Sequence, residues 1–228
     1  SVTGDDGYII VNAGFGKVDT SSIDVTVRDI SWWFDFPTPV VKLVLLEYIK
    51  LYEDLEKSLT ALATDRIFLT HSLDYLEAYN KRPQQGEEAT KNNAYLLSFD
   101  HKPRYVPKQY MLHALELAYL FDINVKPFIE NWYYLELEDV FYEEDVELKN
   151  KFIDLVAGFM KTGKPDQKLH TKNNVAWAPY DSLKKSYLSF SLHPSVGDDI
   201  IRNRRAVWET LVPQWLKEHQ ISETKEEL

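Results

Sequence analysis

The stretch that decides the reading is 94-AYLLSFDHKPRYVPKQYMLHALELAYLF-121. It opens with a compact apolar run, Ala94–Phe99, of the length and composition of a buried strand. A loop carrying Pro103 and Pro107 follows, and then an apolar run, Gln109–Phe121, that contains His113 and Glu116. An imidazole among apolar neighbours costs free energy unless its nitrogens find partners. His113 is therefore either a hydrogen-bonded core residue or an acid/base group that uses its surroundings to exclude water.

Working outward, residues Val40 to about Asn80 place apolar side chains at three- and four-residue spacing, a helical pattern begun by Pro37 and Pro39. Glu143–Gly163 is amphipathic and ends at a glycine, with Pro165 just beyond. Ser186–Leu192 reads as a second strand, and 197-GDDIIRNRRAVWETLVPQWLKEH-219 as a final helix bent at Pro213. Gly7–Gly14, "GYIIVNAG", reads as a strand end and loop, and "SWWFDFP" (31–37) as an aromatic loop or turn. Strands separated by long helical stretches predict an α/β protein with a largely parallel sheet.

Composition narrows the function classes. The 228 residues carry a formal charge of −10, which argues against nucleic acid, because phosphate binding needs a concentrated basic surface. The one tight basic cluster, "IRNRR" at Ile201–Arg205, reads as a solvated helix face. Without cysteine, a disulfide framework, a thiolate nucleophile and a thiolate metal site are all excluded. No apolar run approaches the roughly 20 residues of a membrane span. The six histidines show no close ligand pairing, so no metal and no cofactor is expected. His101 and His193 sit in polar or proline-rich loops, where a surface role is the expectation.

The two ends add expectations. The first residues, "SVTGDDGYII", open as though in mid-element and suggest a chain that begins inside a larger protein. The last four, "KEEL", differ from the K-D-E-L address of the endoplasmic reticulum by one conservative change, so a retrieval receptor and a lumenal location are expected. There is no N-x-S/T sequon to add support for that compartment.

One other stretch carries chemistry. "TGDDGY" (Thr3–Tyr8) sets two carboxylates in a glycine-flanked turn that reads as closing a strand; Asp-Gly turns are also common without function. An acid on one loop and a histidine on a later one suit a relay in which the carboxylate orients the imidazole.

Six segments, in order, resemble the C-terminal part of type-B carboxylesterases. "TGDDG" is similar to the D-E-G motif of the triad acid, "AYLLSFDHKP" to the strand before the histidine loop, and "MLHALELAYLF" to H-G-x-E-L-x-x-x-F around the catalytic histidine. "FMKTGKPD", "WAPYDSLKKSYLSF" and "RRAVWETLVPQW" resemble the F-x-x-T-G-x-P, W-P-x-Y and W-x-x-x-x-P signatures. The resemblance implies an incomplete α/β-hydrolase fold over residues 1–220, with 221–228 a flexible tail. It implies Asp6 as triad acid, with Asp5 in reserve, and His113 as general base. Ala114 stands where the family usually has glycine, and Glu116 matches an acidic position expected to anchor the loop. Ile9 and Ile10 fall on positions that are aromatic in cholinesterases, which favours neutral esters over choline esters. "ENWYYLELEDVFYEED" (130–145) is a candidate lipid-facing mouth, although packing explains such a stripe equally simply. The serine elbow and glycine-rich oxyanion hole lie before the acid in this family and are not in this sequence. The implied partners are a small-molecule ester and the N-terminal part of the same domain. The isolated chain is expected to be inactive.

Overall fold

The structure, a computed structural model, describes residues 5–12, 18–82, 93–104, 111–121, 123, 126–127, 130–131, 143–165 and 176–226. The side chains of residues 12 and 221–226 are outside this description. Most of the proposed mouth stretch, residues 132–142, also lies outside it, as do Thr3, Gly4, His170 and the last two residues.

The helical layer is built as its periodicity predicts. Pro39 sits in the first turn of α3 (Thr38–Tyr52), where its missing N–H costs nothing. Val40, Val41, Val44, Leu45 and Tyr48 form the buried stripe of α3. Glu53 turns the chain in a left-handed conformation, and Asp54 caps α4 (Leu55–Ala63) by accepting from the Lys57 N–H at 2.7 Å. The helix then widens into a π segment, Thr64–Leu69, before α5 (Thr70–Asn80).

Ahead of these lie α1 (Tyr8–Asn12) and α2 (Ile23–Ile30), the latter capped by the Ser22 side chain. The strand expected at Gly7–Gly14 is thus a short helix over its first part. Its Tyr8, Ile9, Ile10 and Val11 are all buried, so the run has neither helical nor strand period, and β-branched content misled the reading.

The three described strands form one mixed sheet. β1 (Leu96–Phe99) runs parallel to β2 (Ser186–Phe190), with Leu96 opposite Tyr187 and Phe99 opposite Phe190. The third strand, β3 (Ser195–Asp198), pairs antiparallel with β2, an arrangement common at the edge of parallel-based sheets. Its first residues precede, and its last overlap, the segment read as helix. Gly197 lies opposite Tyr187, and a Cβ there would meet that ring at 2.7 Å, so the bare backbone accommodates the aromatic side chain.

Helix α6 (Leu115–Phe121) and α7 (Glu143–Thr162) cover the sheet, and α7 stops at Gly163 with φ of 67°, as its glycine predicts. Phe99, Phe152, Phe190 and Tyr119 meet in an aromatic centre, with Phe99 and Phe152 ring centroids 5.1 Å apart. A second π segment, Val207–Leu211, precedes Pro213 near the start of α8 (Val212–Glu226), which gives the expected interruption. Helical backbone continues to Glu226, into the stretch read as a tail. Among the described residues, no helix is long and apolar enough to cross a membrane.

The basic cluster is not a solvated face. Arg204 is largely buried and grips Asp65 with Nε and Nη2, while Nη1 donates to Tyr52 at 2.9 Å. The Tyr48 hydroxyl donates to the same Asp65 and accepts from Trp208 Nε1 at 2.8 Å. Arg205 pairs with Asp199 and Glu209. Arg204 ties the final helical segment to α3 and to the first π segment, whereas Arg205 braces its own segment.

Candidate active site

The acid is seated by the glycine after it. Tyr8 N–H bonds to Asp5 O at 2.9 Å, closing a turn, and Gly7 N–H donates to Thr64 Oγ1 at 2.8 Å. A Cβ on Gly7 would lie 2.3 Å from Thr60 O and 2.4 Å from Thr64 N, so only glycine lets this turn dock on the α4–π junction. The docking leaves Asp6 with 3% exposure.

The histidine comes from the entrance to α6. Leu112 and Leu115 are buried on either side, and Ala114 between them adopts φ of 64° to turn the chain into the helix. This is the position where the family's glycine is replaced, and the left-handed backbone explains why glycine suits it. Met111 N–H donates to Asp5 Oδ2 at 3.3 Å, and Lys102 Nζ lies 3.8 Å from the same oxygen. Asp5, the reserve candidate for the acid, thus clamps the acid turn to the histidine loop and is not placed on the imidazole. Burial raises its pKa, against the lowering effects of Lys102 and the Met111 N–H.

Asp6 and His113 meet: Nδ1 lies 3.1 Å from Oδ1. With the carboxylate ionised, Nδ1 carries the shared proton. The Asp6 side chain is 4% exposed and that of His113 39%, so the carboxylate is enclosed while the ring reaches the surface of this chain. The hydrogen bond to Asp6 raises the His113 pKa; burial opposes it, and the charges of Asp6 and Glu116 add to it. The Phe68 ring packs against the imidazole with centroids 4.6 Å apart. Asp6 and His113 therefore rest on one element, since Thr64 holds the Asp6 turn and Phe68 packs on the His113 ring. π segments recur at functional sites because they re-aim side chains within a helix.

A family model described as the carboxylesterase family matches residues 37–208, a span that includes His113 and starts after Asp6. The chain belongs to the carboxylesterase family. The neuroligin-2 proteins of Homo sapiens and Rattus norvegicus are each 36% identical to it over 84 residues, 32% of this chain and 10% of theirs. A crystal structure of a Geobacillus stearothermophilus carboxylesterase aligns over 82% of this chain at a TM-score of 0.55 and 20% identity, which shows the fold. This chain covers 35% of that solved chain and about a tenth of each neuroligin-2.

For this carboxylesterase-family chain, the remaining histidines divide by environment. His101 is buried, contrary to the surface role expected of its loop. Its Nε2 lies 2.8 Å from Asp145 Oδ1, which also accepts from the Tyr119 hydroxyl at 2.6 Å. This second acid–histidine pair locks the exit of β1 to α6 and α7; its carboxylate has two donors and both partners are enclosed, a structural arrangement. His193 is exposed, and His71 contacts Arg66. Among the described residues, no group of three or more His, Asp or Glu is arranged to hold a metal. Thr64 and Phe68, which support the pair, carried no sequence signal, because "TDRIFL" reads as ordinary helix. Gly7 did carry one, in the Asp-Gly dipeptide.

Proposed function

We propose that this chain contributes the acid and the general base of a serine carboxylesterase, with Asp6 orienting His113 and His113 activating a serine that a segment outside this sequence supplies. The Asp6–His113 hydrogen bond of 3.1 Å is the observation that carries the reading. The carboxylate fixes the tautomer with the proton on Nδ1, and Nε2 takes the serine hydroxyl proton as Oγ attacks the ester carbonyl. The same nitrogen then returns the proton to the leaving alcohol, and a second cycle with water releases the acid. Asp6 stabilises the imidazolium formed between the two transfers without itself being protonated. The oxyanion donors belong to the N-terminal part of the domain, so the isolated chain turns over no ester.

Ile9 and Ile10, both buried beside the acid turn, favour an apolar ester without a cationic group, from the neutral carboxyl, lipid or xenobiotic classes. The intact protein should hydrolyse phenyl acetate and leave acetylcholine nearly untouched; faster turnover of the choline ester contradicts the substrate assignment.

The match to neuroligin-2 favours a second reading, a non-catalytic esterase-like adhesion or scaffold domain. Stoichiometric labelling of a serine in the intact protein by an organophosphate separates the two: labelling supports the esterase, and its absence supports the scaffold.

A further inference from the structure

A cavity of about 310 Å³ is lined by Ile10, Trp32, Trp33, Arg66, Ile67 and His71, with neither Asp6 nor His113 in its wall. It adjoins the site through the chain itself. Ile10 follows Asp6 by one helical turn, and Ile67 precedes Phe68, the residue packed on His113. Its walls are apolar and aromatic, with Trp32 62% exposed, and among the described residues lining it Arg66 carries the one permanent charge.

Among the described residues that charge has no counter-ion. Arg66 Cζ lies 5.8 and 5.3 Å from the ring centroids of Phe34 and Phe36, and Nη1 donates to His71 Nε2 at 3.3 Å. Nε is buried without a hydrogen-bond partner, and among the described residues no carboxylate comes within ion-pairing distance. An adjoining pocket that shares Arg66 and His71 also holds Asp74, Glu77 and Glu209; Glu77 is occupied by Tyr180, Ser182 and Lys185, Glu209 pairs with Arg205, and Asp74 lies beyond ion-pairing distance of Arg66. The other part-buried arginines, Arg204 and Arg205, are both ion-paired. In a chain with 36 acidic residues, leaving this cation unpaired against an open apolar cavity is a distinct choice. A half-desolvated guanidinium gains most from a bidentate anion, and aromatic walls gain most from an apolar body.

We infer that this cavity receives the acidic end of the substrate, so that the ester is an apolar molecule carrying a carboxylate away from the scissile bond. The inference rests on the esterase reading for its link to turnover; it keeps the exclusion of cationic esters and replaces the neutral class with esters that carry an anion. Arg66 supplies two N–H donors to the carboxylate, Trp32 and Trp33 cover the apolar body, and the ester carbonyl lies toward His113. His71 Nε2, facing Nη1, orients the guanidinium.

Two measurements on the intact protein test this. The first compares kcat/KM for phenyl hydrogen adipate and for neutral phenyl hexanoate, with Arg66→Gln and Arg66→Lys. The acid-to-neutral ratio should fall about 10-fold or more in Arg66→Gln, the size of one charge-assisted pair, and recover in part in Arg66→Lys. The second needs neither turnover nor a variant: equilibrium dialysis of 1-naphthylacetate against 1-naphthylacetamide. The carboxylate should bind about 10-fold more tightly or better. Equal binding of the two, or an unchanged ratio in Arg66→Gln, overturns the inference, including the case in which Arg66 pairs with a carboxylate elsewhere in the intact protein. Selective carboxylate binding without any ester turnover would keep the pocket and remove the esterase reading. Ester turnover without carboxylate selectivity would do the reverse.

Discussion

Asp6 Oδ1 and His113 Nδ1 lie 3.1 Å apart although 107 positions separate them in the chain. Neither residue controls that distance alone. The acid turn is seated through Gly7 on Thr64, and the ring rests on Phe68, so the π segment between α4 and α5 sets both halves of the pair. The relationship also sets the protonation of the base. The hydrogen bond His113 donates to Asp6 is the largest influence and raises the His113 pKa above the usual 6.5.

The pH dependence follows from that direction. A general base works in its neutral form, so the acidic limb of the kcat/KM profile of the intact protein should lie above pH 6.5. Asp6→Asn removes the charge and should move that limb downward while cutting kcat. Because the folded pKa is raised, the stabilising contribution is present below the unfolded pKa and is lost as pH rises through the folded one. With the ring more than a third exposed, that contribution to stability is small.

Gly7→Ala tests the seating of the acid. The new Cβ would fall 2.3 Å from Thr60 O and 2.4 Å from Thr64 N, both backbone atoms that cannot swing aside. Urea denaturation should show a loss of about 3 kcal/mol, at the upper end for overpacking. Wild-type stability would mean that the turn does not dock on this junction.

Ala114→Gly should act in the opposite direction. Ala114 holds φ of 64°, which costs a residue with a Cβ on the order of 1 kcal/mol, partly offset by the greater unfolded freedom of glycine. A net gain of about 0.5 kcal/mol in chemical denaturation is expected, with the His113 pKa unchanged by NMR. Destabilisation would show that the methyl group packs usefully despite the strained backbone.

Asp65→Asn should be the most damaging polar substitution. It leaves Arg204 buried without its anion and sets an amide NH2 where a carboxylate oxygen accepted, a loss of about 3–5 kcal/mol. Tyr48→Phe, which removes one hydrogen bond and keeps the ion pair, should cost only about 1 kcal/mol. Equal losses in the two variants would mean that the arginine does not depend on Asp65.

What could be read from residues alone depended on how local the determining contact is. The helices over 38–80 and 143–162 and the strands at 96–99 and 186–190 follow from periodicity, caps and a terminal glycine within a few positions. Residues 8–11 were misread because four consecutive apolar residues are all buried, which erases any period. β3 was missed because four short residues, one of them glycine, carry no strand pattern of their own. The roles of Arg204 and His101 were misjudged because their partners lie 139 and 44 positions away, beyond any local rule. Asp6 and His113 are visible as a pair through the order of family-like motifs and Gly7 through its Asp-Gly dipeptide, whereas Thr64 and Phe68 leave no trace in the sequence.

The most direct test of the account is kcat for phenyl acetate in the intact protein carrying His113→Ala. Loss of the general base should lower kcat by about 10⁴-fold or more with the fold preserved by circular dichroism. A kcat within a few-fold of wild type would contradict the assignment of His113 as the base, and with it the role given to Asp6.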